Sequence, residues 1–266
     1  MKWRWPLVCL ALCSLGADAH VPDRFDTVII DAGHGGDDQG ARSADGFWEK
    51  DLVLDVALRL AERLRARGLR VVLTRDSDIH VPLEERTSIA NDARGDLFVS
   101  IHANAAPSQN ARGIETYFLS LEASDAAAES VARRENEVFR SARAAPAATA
   151  DSLLGILSDL IATEHLEESN EFARFAHREL SALTPASARG VKQAPFVVLM
   201  GVQMPASLIE IGFLTHQGEA RDLAKQAHRN SIADALARAV SAYGRRHDVR
   251  RGAALTLDTP PAERTQ

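Results

Sequence analysis

The chain has 266 residues and a formal charge of -6 at pH 7, from 37 acidic and 31 basic side chains. This length is enough for one sizeable α/β domain, and a hydrophobic content of 45% is ordinary for a globular protein. The acidic balance argues against a nucleic-acid partner, because binding to phosphates requires a basic surface.

The first 19 residues are typical of a secretory signal peptide. Lys2 and Arg4 precede an apolar run over residues 5–15, and small residues precede a cleavage site before His20. The run is too short for a transmembrane segment, and we predict no such segment elsewhere in the chain. We therefore expect residues 1–19 to be removed on export.

The two cysteines of the chain, Cys9 and Cys13, both lie inside this predicted signal peptide. A lipid anchor at Cys13 is the alternative, although Leu12 is bulkier than such sites prefer. After cleavage the mature chain would have no thiol, which excludes a cysteine nucleophile and thiolate metal ligands. Any metal ion must then be bound by His, Asp or Glu.

Short apolar runs alternate with helical patterns over residues 25–245, which predicts one α/β domain. We expect a mostly parallel, twisted sheet of about six strands, flanked by helices. The predicted strands are Phe25–Asp31, Val71–Thr74, Leu97–Ile101, Ile114–Leu119, Phe196–Leu199 and Ser207–Ile211. The predicted helices begin at Glu49, Pro82 and Arg221, and the last one ends at Tyr243. Residues 246–266 lack apolar periodicity and are expected to form a disordered tail.

Residues 120–183 interrupt this series of strands and are rich in Ala, Glu and Arg. We expect a helical insertion of two or three helices that lies over or beside the sheet. Part of it carries an apolar stripe, formed by Leu153, Leu154, Leu157, Leu160 and Ile161. This stripe can pack on the body of the protein, or it can be the docking face for a partner protein.

Two histidines follow apolar strands at the points where those strands end. His34 lies among the glycines after the first strand, and His102 follows Leu97–Ile101. Ligand sites of open α/β sheets lie at such carboxyl ends, and two imidazoles there can bind one Zn²⁺ ion. Glu49, which begins the helix after the glycine-rich loop, is the best third ligand. The alternatives are a turn histidine without function and a glutamate that only stabilises a helix N-terminus.

Glu210 lies within the apolar strand Ser207–Ile211. An unpaired buried carboxylate is costly, so Glu210 must face a partner. A carboxylate beside a metal-bound water can take its proton and later deliver it to a leaving amine. The alternative is a structural ion pair with an arginine.

Other polar residues are weaker candidates. Asn104 and Arg42 are candidate substrate ligands. Arg42 and Arg86 can also hold a carboxylate or pair within the protein, and Asp31 can orient a ligand histidine or cap the loop. The remaining histidines are expected to face solvent: His80, His165, His177, His216, His228 and His247.

Five motifs occur in order and at fitting separations along the chain. They are Asp31–Gly36, Trp48–Asp51, Leu73–Arg75, Ser100–Asn104 and Ile209–Phe213. Together they resemble the zinc-dependent N-acetylmuramoyl-L-alanine amidases of bacterial cell-wall turnover. The resemblance extends over Thr27–Tyr243, which is nearly the whole predicted mature chain. One departure is Thr215–His216, where the family more often has Ser-Asn.

The resemblance implies one zinc ion bound by His34, Glu49 and His102, with Glu210 as the catalytic carboxylate. It implies hydrolysis of peptidoglycan at the amide bond between the lactyl group of N-acetylmuramic acid and the first L-alanine of the stem peptide. It also implies a periplasmic protein, active in cell-wall turnover and daughter-cell separation. Two competing functions are a non-catalytic wall-binding or regulatory module and a zinc carboxypeptidase that releases single amino acids.

The insertion also resembles that of Gram-negative division amidases. In those enzymes a helix shields the zinc until an activator with a degenerate, LytM-like metallopeptidase domain withdraws it. By this resemblance Leu121–Val138 is the shielding segment and residues 151–166 are the docking helix. Glu122, Glu129 and Glu135 are all candidates for the carboxylate that reaches the metal, and the sequence does not choose among them. Such a carboxylate would exclude water, so partner binding would have to favour the open state.

Overall fold

A computed structural model of the protein describes residues 24–137, 163–184 and 188–252. The predicted signal peptide and residues 151–162 of the predicted docking helix lie outside these described residues. Within the described ranges, no helix is both long enough and apolar enough to cross a membrane.

The described residues form one six-stranded sheet, as the alternating pattern predicts. In chain order the strands are β1 (Thr27–Ala32), β2 (Arg70–Leu73), β3 (Leu97–Asn104), β4 (Ile114–Leu119), β5 (Ala188–Ala194) and β6 (Ala206–Phe213). Their spatial order is β2-β1-β3-β6-β4-β5, and all neighbours are parallel except β6 and β4. The prediction of an α/β fold with a mostly parallel sheet is confirmed.

Helices cover both faces of this sheet. In the described ranges they are α1 (Glu49–Arg65), α2 (Leu83–Asp92), α3 (Ala126–Glu135), α4 (Thr163–Ser181), α5 (Gln217–Ala224) and α6 (Gln226–Arg250). Helices α1, α4 and α6 share one core with Val28 and Ile30 of β1. Helices α2 and α3 share the other core with Ile29. Because both faces are buried, β1 is a continuous apolar run in the sequence.

The predicted strand Phe196–Leu199 is wrong. It contains a 3₁₀ turn over Val197–Leu199, and the remaining strand of the sheet is β5. The sequence of β5 is polar, Ala-Arg-Gly-Val-Lys-Gln-Ala, because it lies at the edge of the sheet. Phe196, Val198 and Leu199 are buried in the core that contains α2 and α3. Their apolar character therefore reflects core packing and not an extended strand.

Helix α4 lies within the predicted insertion but contributes to the core of the domain. It comes between β4 and β5 in the chain, where two parallel neighbours require a crossover connection. Phe172, Ala176 and Leu180 of α4 are fully buried against α6 and the sheet. The region 120–183 thus contains a core helix, α4, as well as α3 on the opposite face.

The predicted closing helix is divided into two. Helix α5 ends at Ala224, and the extended backbone of Lys225 (ψ 125°) separates it from α6. Helix α6 continues past Tyr243 to Arg250, so the first residues of the predicted tail are helical. Residues 253–266 lie outside the described part of the chain.

Candidate metal centre

The loop after β1 holds His34 beside His102. His34 has a φ of 60°, in the left-handed region that non-glycine residues rarely adopt. Gly33 lies directly against the ring of His102, and a Cβ atom on it would lie 2.4 Å from that ring. A Cβ atom on Gly40 would lie 2.6 Å from the Glu49 carboxylate. Because these glycines have no side chain, the loop can approach His102 and Glu49 closely. The ring centroids of His34 and His102 are 5.0 Å apart.

Two buried arginines hold the carbonyl groups of this loop. Arg75 donates from Nε to the Ala32 carbonyl at 2.9 Å and from Nη2 to the Gly33 carbonyl at 2.8 Å. Arg86 donates to the carbonyls of Ala32 and His34, each at 2.7 Å. Of the two roles predicted for Arg86, the structure therefore supports pairing within the protein.

Asp31 is the counter-ion of Arg86. Its carboxylate lies 2.7 Å from Arg86 Nη1 and accepts hydrogen bonds from Thr74 and Ser100. Burial alone would raise the pKa of Asp31, but Arg86 and the two hydroxyl groups lower it below its usual value. Asp31 neither caps the loop nor orients a histidine directly, which were its two predicted roles. It acts on the loop through Arg86.

Glu49 is the first residue of α1, and two backbone amides from outside this helix fix its carboxylate. Its Oε1 accepts from the Ala103 amide at 2.9 Å, and its Oε2 accepts from the Ala41 amide at 2.8 Å. His34 is oriented by a carboxylate, since its Nδ1 lies 2.9 Å from Asp38 Oδ2. Sequence reasoning misses Asp38, whose only signal is its position four residues after His34.

Four side chains converge on one point: His34, Glu49, His102 and Glu135. One ligand atom from each lies within 4.8 Å of the other three. Glu135 Oε2 is 3.2 Å from His34 Nε2 and 3.0 Å from His102 Nδ1. Glu49 Oε1 is 3.2 and 3.1 Å from the same two nitrogens. These spacings resemble the edges, about 3.3 Å, of a tetrahedron with zinc–ligand bonds of about 2.0 Å.

The chemistry of this cluster favours a divalent cation. His34 Nε2 and Glu135 Oε2 are buried without a well-aligned hydrogen bond, which is costly unless a cation contacts them. Burial lowers the pKa of His102, but the carboxylates of Glu135 and Glu49 outweigh burial and raise this pKa to about 10. The carboxylates thus attract positive charge to the cluster, and its nitrogen and oxygen ligands suit Zn²⁺.

Glu210 lies beside this cluster, on β6. It is paired in register with His102 of β3, and its side chain is fully buried. Burial and the neighbouring Glu135 raise the pKa of Glu210 well above its usual value. Arg134 Nη2 lies 4.0 Å from Glu210 Oε1, so the arginine of the alternative prediction is present at the outer limit of an ion pair but does not hydrogen-bond to this carboxyl group. A carboxyl group in this environment can exchange a proton with a molecule in the cleft.

The structure separates the three glutamates that were candidates for reaching a metal. Glu122 and Glu129 are exposed, whereas Glu135 in the last turn of α3 is 8% exposed and enters the cluster. The sequence could not make this choice, because it depends on how α3 packs on the sheet.

The two predicted substrate ligands lie in different surroundings. Arg42 is exposed, and its guanidinium lies 4.7 Å above the centre of the Trp48 ring. Asn104 is buried, donates from Nδ2 to Glu115, and accepts at Oδ1 from Arg134. Asn104 is therefore next to the cluster, and Arg42 is on the surface.

The six remaining histidines differ in exposure. His80 is exposed, and His165, His177, His216 and His228 are half-buried. His247 is buried, with its ring centroid 5.7 Å from that of Phe25 and 6.4 Å from that of Tyr243. The prediction that His247 faces solvent is therefore wrong.

Comparisons with known proteins agree with this site. A family model described as N-acetylmuramoyl-L-alanine amidase (Amidase_3) matches residues 28–242. The chain is 36% identical to the N-acetylmuramoyl-L-alanine amidase AmiA of Escherichia coli K12 over 218 residues, which are 81% of this chain and 75% of AmiA. It is 31% identical to AmiC of Neisseria meningitidis over 86% of this chain but only 55% of AmiC. The solved structure of the amidase AmiC2 of Nostoc punctiforme superposes with a TM-score of 0.62 and 28% identity, over 82% of this chain and 96% of that one.

Proposed function

The chain belongs to the N-acetylmuramoyl-L-alanine amidase family, and on that premise we propose that it is a zinc-dependent peptidoglycan hydrolase. Its substrate is the amide bond between N-acetylmuramic acid and the L-alanine of the stem peptide. The observation that carries the proposal is the convergence of His34, Glu49 and His102, with the buried Glu210 beside them.

His34, Glu49 and His102 would hold one zinc ion, which the unpaired, buried Nε2 of His34 and the mixed nitrogen and oxygen donors suit. When bound, zinc supplies Lewis acidity and lowers the pKa of a water molecule. The chain itself contributes orientation. Asp38 fixes the His34 ring, and the Ala103 amide fixes the Glu49 carboxylate.

Glu210 supplies the proton transfer that hydrolysis of an amide requires. In its ionised form the carboxylate takes a proton from the attacking water. It then delivers this proton to the alanine nitrogen as the C–N bond breaks, which leaves a free carboxylate on the lactyl group and a free amine on the stem peptide. Its burial in a cleft with few competing hydrogen bonds keeps the group available for this exchange.

Glu210→Gln tests this assignment. We expect the variant to retain one zinc ion per chain but to release stem peptides from purified sacculi about 10²–10⁴-fold more slowly, because the proton acceptor is lost. Elemental analysis and mass spectrometry of the products measure the two effects, and the exposed Glu129→Gln is the matched control. Full activity of Glu210→Gln would contradict the role. Release of single amino acids by the wild type would favour a carboxypeptidase. No release even from Glu135→Ala, which lacks the carboxylate that occupies the cluster, would favour a wall-binding module.

Autoinhibition by α3 is part of the same proposal. Glu135 Oε2 lies within 3.2 Å of the ligand nitrogens of both histidines, so it would fill the fourth position around the zinc. A substrate or water molecule then needs α3 to withdraw. A partner that binds the withdrawn form more tightly would shift the population to the active state.

We place the docking site of that partner, an activator with a LytM-like domain, on residues 151–166. The apolar stripe that includes Leu157 and Leu160 supports this assignment. We expect Leu157→Lys with Leu160→Lys to abolish stimulation by the activator while basal activity stays unchanged, because charged side chains disfavour an apolar interface. Activity assays with and without the activator measure it. Stimulation that survives both changes would contradict the docking site.

The proposed setting is the periplasm, in cell-wall turnover and daughter-cell separation. The support is the charged and apolar pattern of residues 1–19, which is typical of a signal peptide. The mass of the exported chain tests it, since cleavage gives a mature protein that begins at His20.

A further inference from the structure

Arg134 contacts the same cleft as its neighbour Glu135, but at a different place. Its Nη2 donates to Asn104 Oδ1 at 2.9 Å, and its Nη1 donates to the Ala105 carbonyl. The same Nη2 lies 4.0 Å from Glu210 Oε1. The guanidinium of α3 therefore occupies two hydrogen-bond acceptors immediately beside the proposed catalytic carboxylate.

The Asn104 amide is held so that its oxygen faces this cleft. Its Nδ2 donates to Glu115 Oε2 at 2.9 Å, and Glu115 is 1% exposed. Glu115 accepts further hydrogen bonds from Tyr117, Arg189 and Lys192, so its carboxylate is fully engaged and fixed. A carboxylate can only accept from Asn104, which forces the NH₂ group toward Glu115 and the oxygen toward the cleft.

We propose that Asn104 Oδ1 and the Ala105 carbonyl form an acceptor subsite for amide N–H groups of the substrate, and that Arg134 fills this subsite while α3 is in place. This inference rests on the proposed function. The substrate carries N–H groups on both sides of the scissile bond: on the acetamido group, on L-alanine and on the next residue of the stem. Both residues of α3 thus compete with the substrate: Arg134 occupies the subsite, and Glu135 occupies the metal cluster.

Withdrawal of α3 would leave both acceptors without the donor that now satisfies them. Once a bound substrate excludes water from this cleft, an acceptor without a donor is costly. A substrate that supplies an N–H group there recovers this cost, whereas one without it does not. The subsite would therefore select amide substrates and position them against Glu210 through Asn104, a positioning residue.

Binding to a catalytically inactive protein tests the proposal. The zinc-loaded Glu210→Gln chain is titrated with N-acetylmuramoyl-L-alanyl-D-glutamate in a calorimeter. Adding Arg134→Ala should strengthen binding at least tenfold, because the guanidinium that fills the subsite is gone while Glu135 stays in place. Arg133→Ala, an exposed arginine on the same helix, should leave the affinity unchanged. Arg134 Nε also donates to Glu135 Oε1 at 3.1 Å, so zinc affinity is measured in all three proteins by competition with a chelator. A fall in zinc affinity in the Arg134→Ala protein would attribute its gain to a displaced Glu135 and would overturn the subsite.

Asn104→Ala separates the subsite from a simple loosening of α3. If Arg134→Ala only loosened the helix, the gain in affinity would persist when Asn104 is also replaced. We expect the combined variant, Arg134→Ala with Asn104→Ala, to bind the ligand at least tenfold more weakly than the variant with Arg134→Ala alone. An unchanged affinity in the combined variant would overturn the proposal. Melting temperatures show whether loss of the bond to Glu115 has unfolded the protein.

Substrate analogues provide a test that does not depend on Asn104→Ala folding. Ligands methylated on the acetamido, alanyl or glutamyl nitrogen each lack one N–H group. On the Arg134→Ala, Glu210→Gln protein, one of the three should bind at least tenfold more weakly, and its identity shows whether the sugar or the peptide supplies the donor. Equal affinity of all three and the parent ligand would overturn the subsite. Absence of binding to every variant, including Glu135→Ala, would instead overturn the proposed function itself.

Discussion

Asp31 fixes the position of His34 through one intermediate residue. Its carboxylate pairs with Arg86, and Arg86 donates to the His34 carbonyl at 2.7 Å. The backbone of His34 has a positive φ, which a residue with a side chain keeps only when its surroundings hold it there. A charge in the core therefore determines where a proposed metal ligand lies.

We expect Asp31→Asn to lower the free energy of unfolding by about 3–5 kcal/mol at neutral pH, because Arg86 stays buried without its counter-ion. The folded pKa of Asp31 is lowered, so its contribution is present above the unfolded pKa, about 3.9, and is lost as the pH falls through the lower folded pKa. The difference between the variant and the wild type should therefore shrink on acidification. Urea unfolding across this pH range measures it.

The exposed Asp37→Asn is the matched control for this experiment and should match the wild type throughout. A difference between Asp31→Asn and the wild type that stays constant into acid would contradict the assigned ion pair.

His34, Glu49 and His102 could be grouped from the sequence, because the carboxyl ends of neighbouring parallel strands meet at one edge of a sheet. The residues that support them could not. Arg75 and Asp38 act through loop carbonyls and a ring nitrogen whose positions depend on the folded loop. No residue pattern gives those positions in advance.

At the scale of elements, buried strands were the most predictable part of the fold. β1 and β3 are buried on both faces, so each is predictable from its continuous run of apolar residues. β5 could not, since an edge strand with Arg189, Gly190 and Lys192 has the composition of a loop. The sequence predicts α4 as part of an insertion, because β5, the strand to which it leads, lacks the apolar pattern of a strand.

Helix α3 places Glu135 in the metal cluster, where it would block the proposed reaction. Glu135→Ala should raise the basal rate of stem-peptide release by roughly tenfold or more, which corresponds to about 1.4 kcal/mol of released inhibition. The reason is that the alanine leaves the fourth position of the metal cluster open. Release from sacculi without an activator measures the effect, and the exposed Glu129→Ala should leave the rate unchanged. A basal rate that falls or stays constant in Glu135→Ala would contradict autoinhibition.

At the scale of the whole molecule, the sheet collects distant parts of the chain at one edge. The cluster draws residues from the loop after β1, from α1, from β3 and from α3. Glu210 of β6 stands next to it, where β6 pairs with β3 on one side and with antiparallel β4 on the other. An ion held there would tie four segments together, and so it would stabilise the folded state as a whole.

We therefore expect removal of zinc to lower the melting temperature. At free zinc about 1,000-fold above the dissociation constant, binding adds about 4 kcal/mol to the free energy of unfolding. For a domain of this size that corresponds to roughly 8–16 °C. Differential scanning calorimetry before and after chelation measures the change. His102→Ala should melt at the same temperature with and without chelator, and a wild type that does the same would contradict the metal centre.

The fourth donor of this cluster comes from α3, the helix that the proposed autoinhibition requires to withdraw. Release of α3 would thus exchange a closed four-donor cage for a three-donor one, and an ion with fewer donors escapes sooner. The active form would then also be the form that loses its zinc ion faster. Where free zinc is scarce, withdrawal of α3 would therefore both start wall cleavage and limit its duration, because activity would end when the zinc ion dissociates.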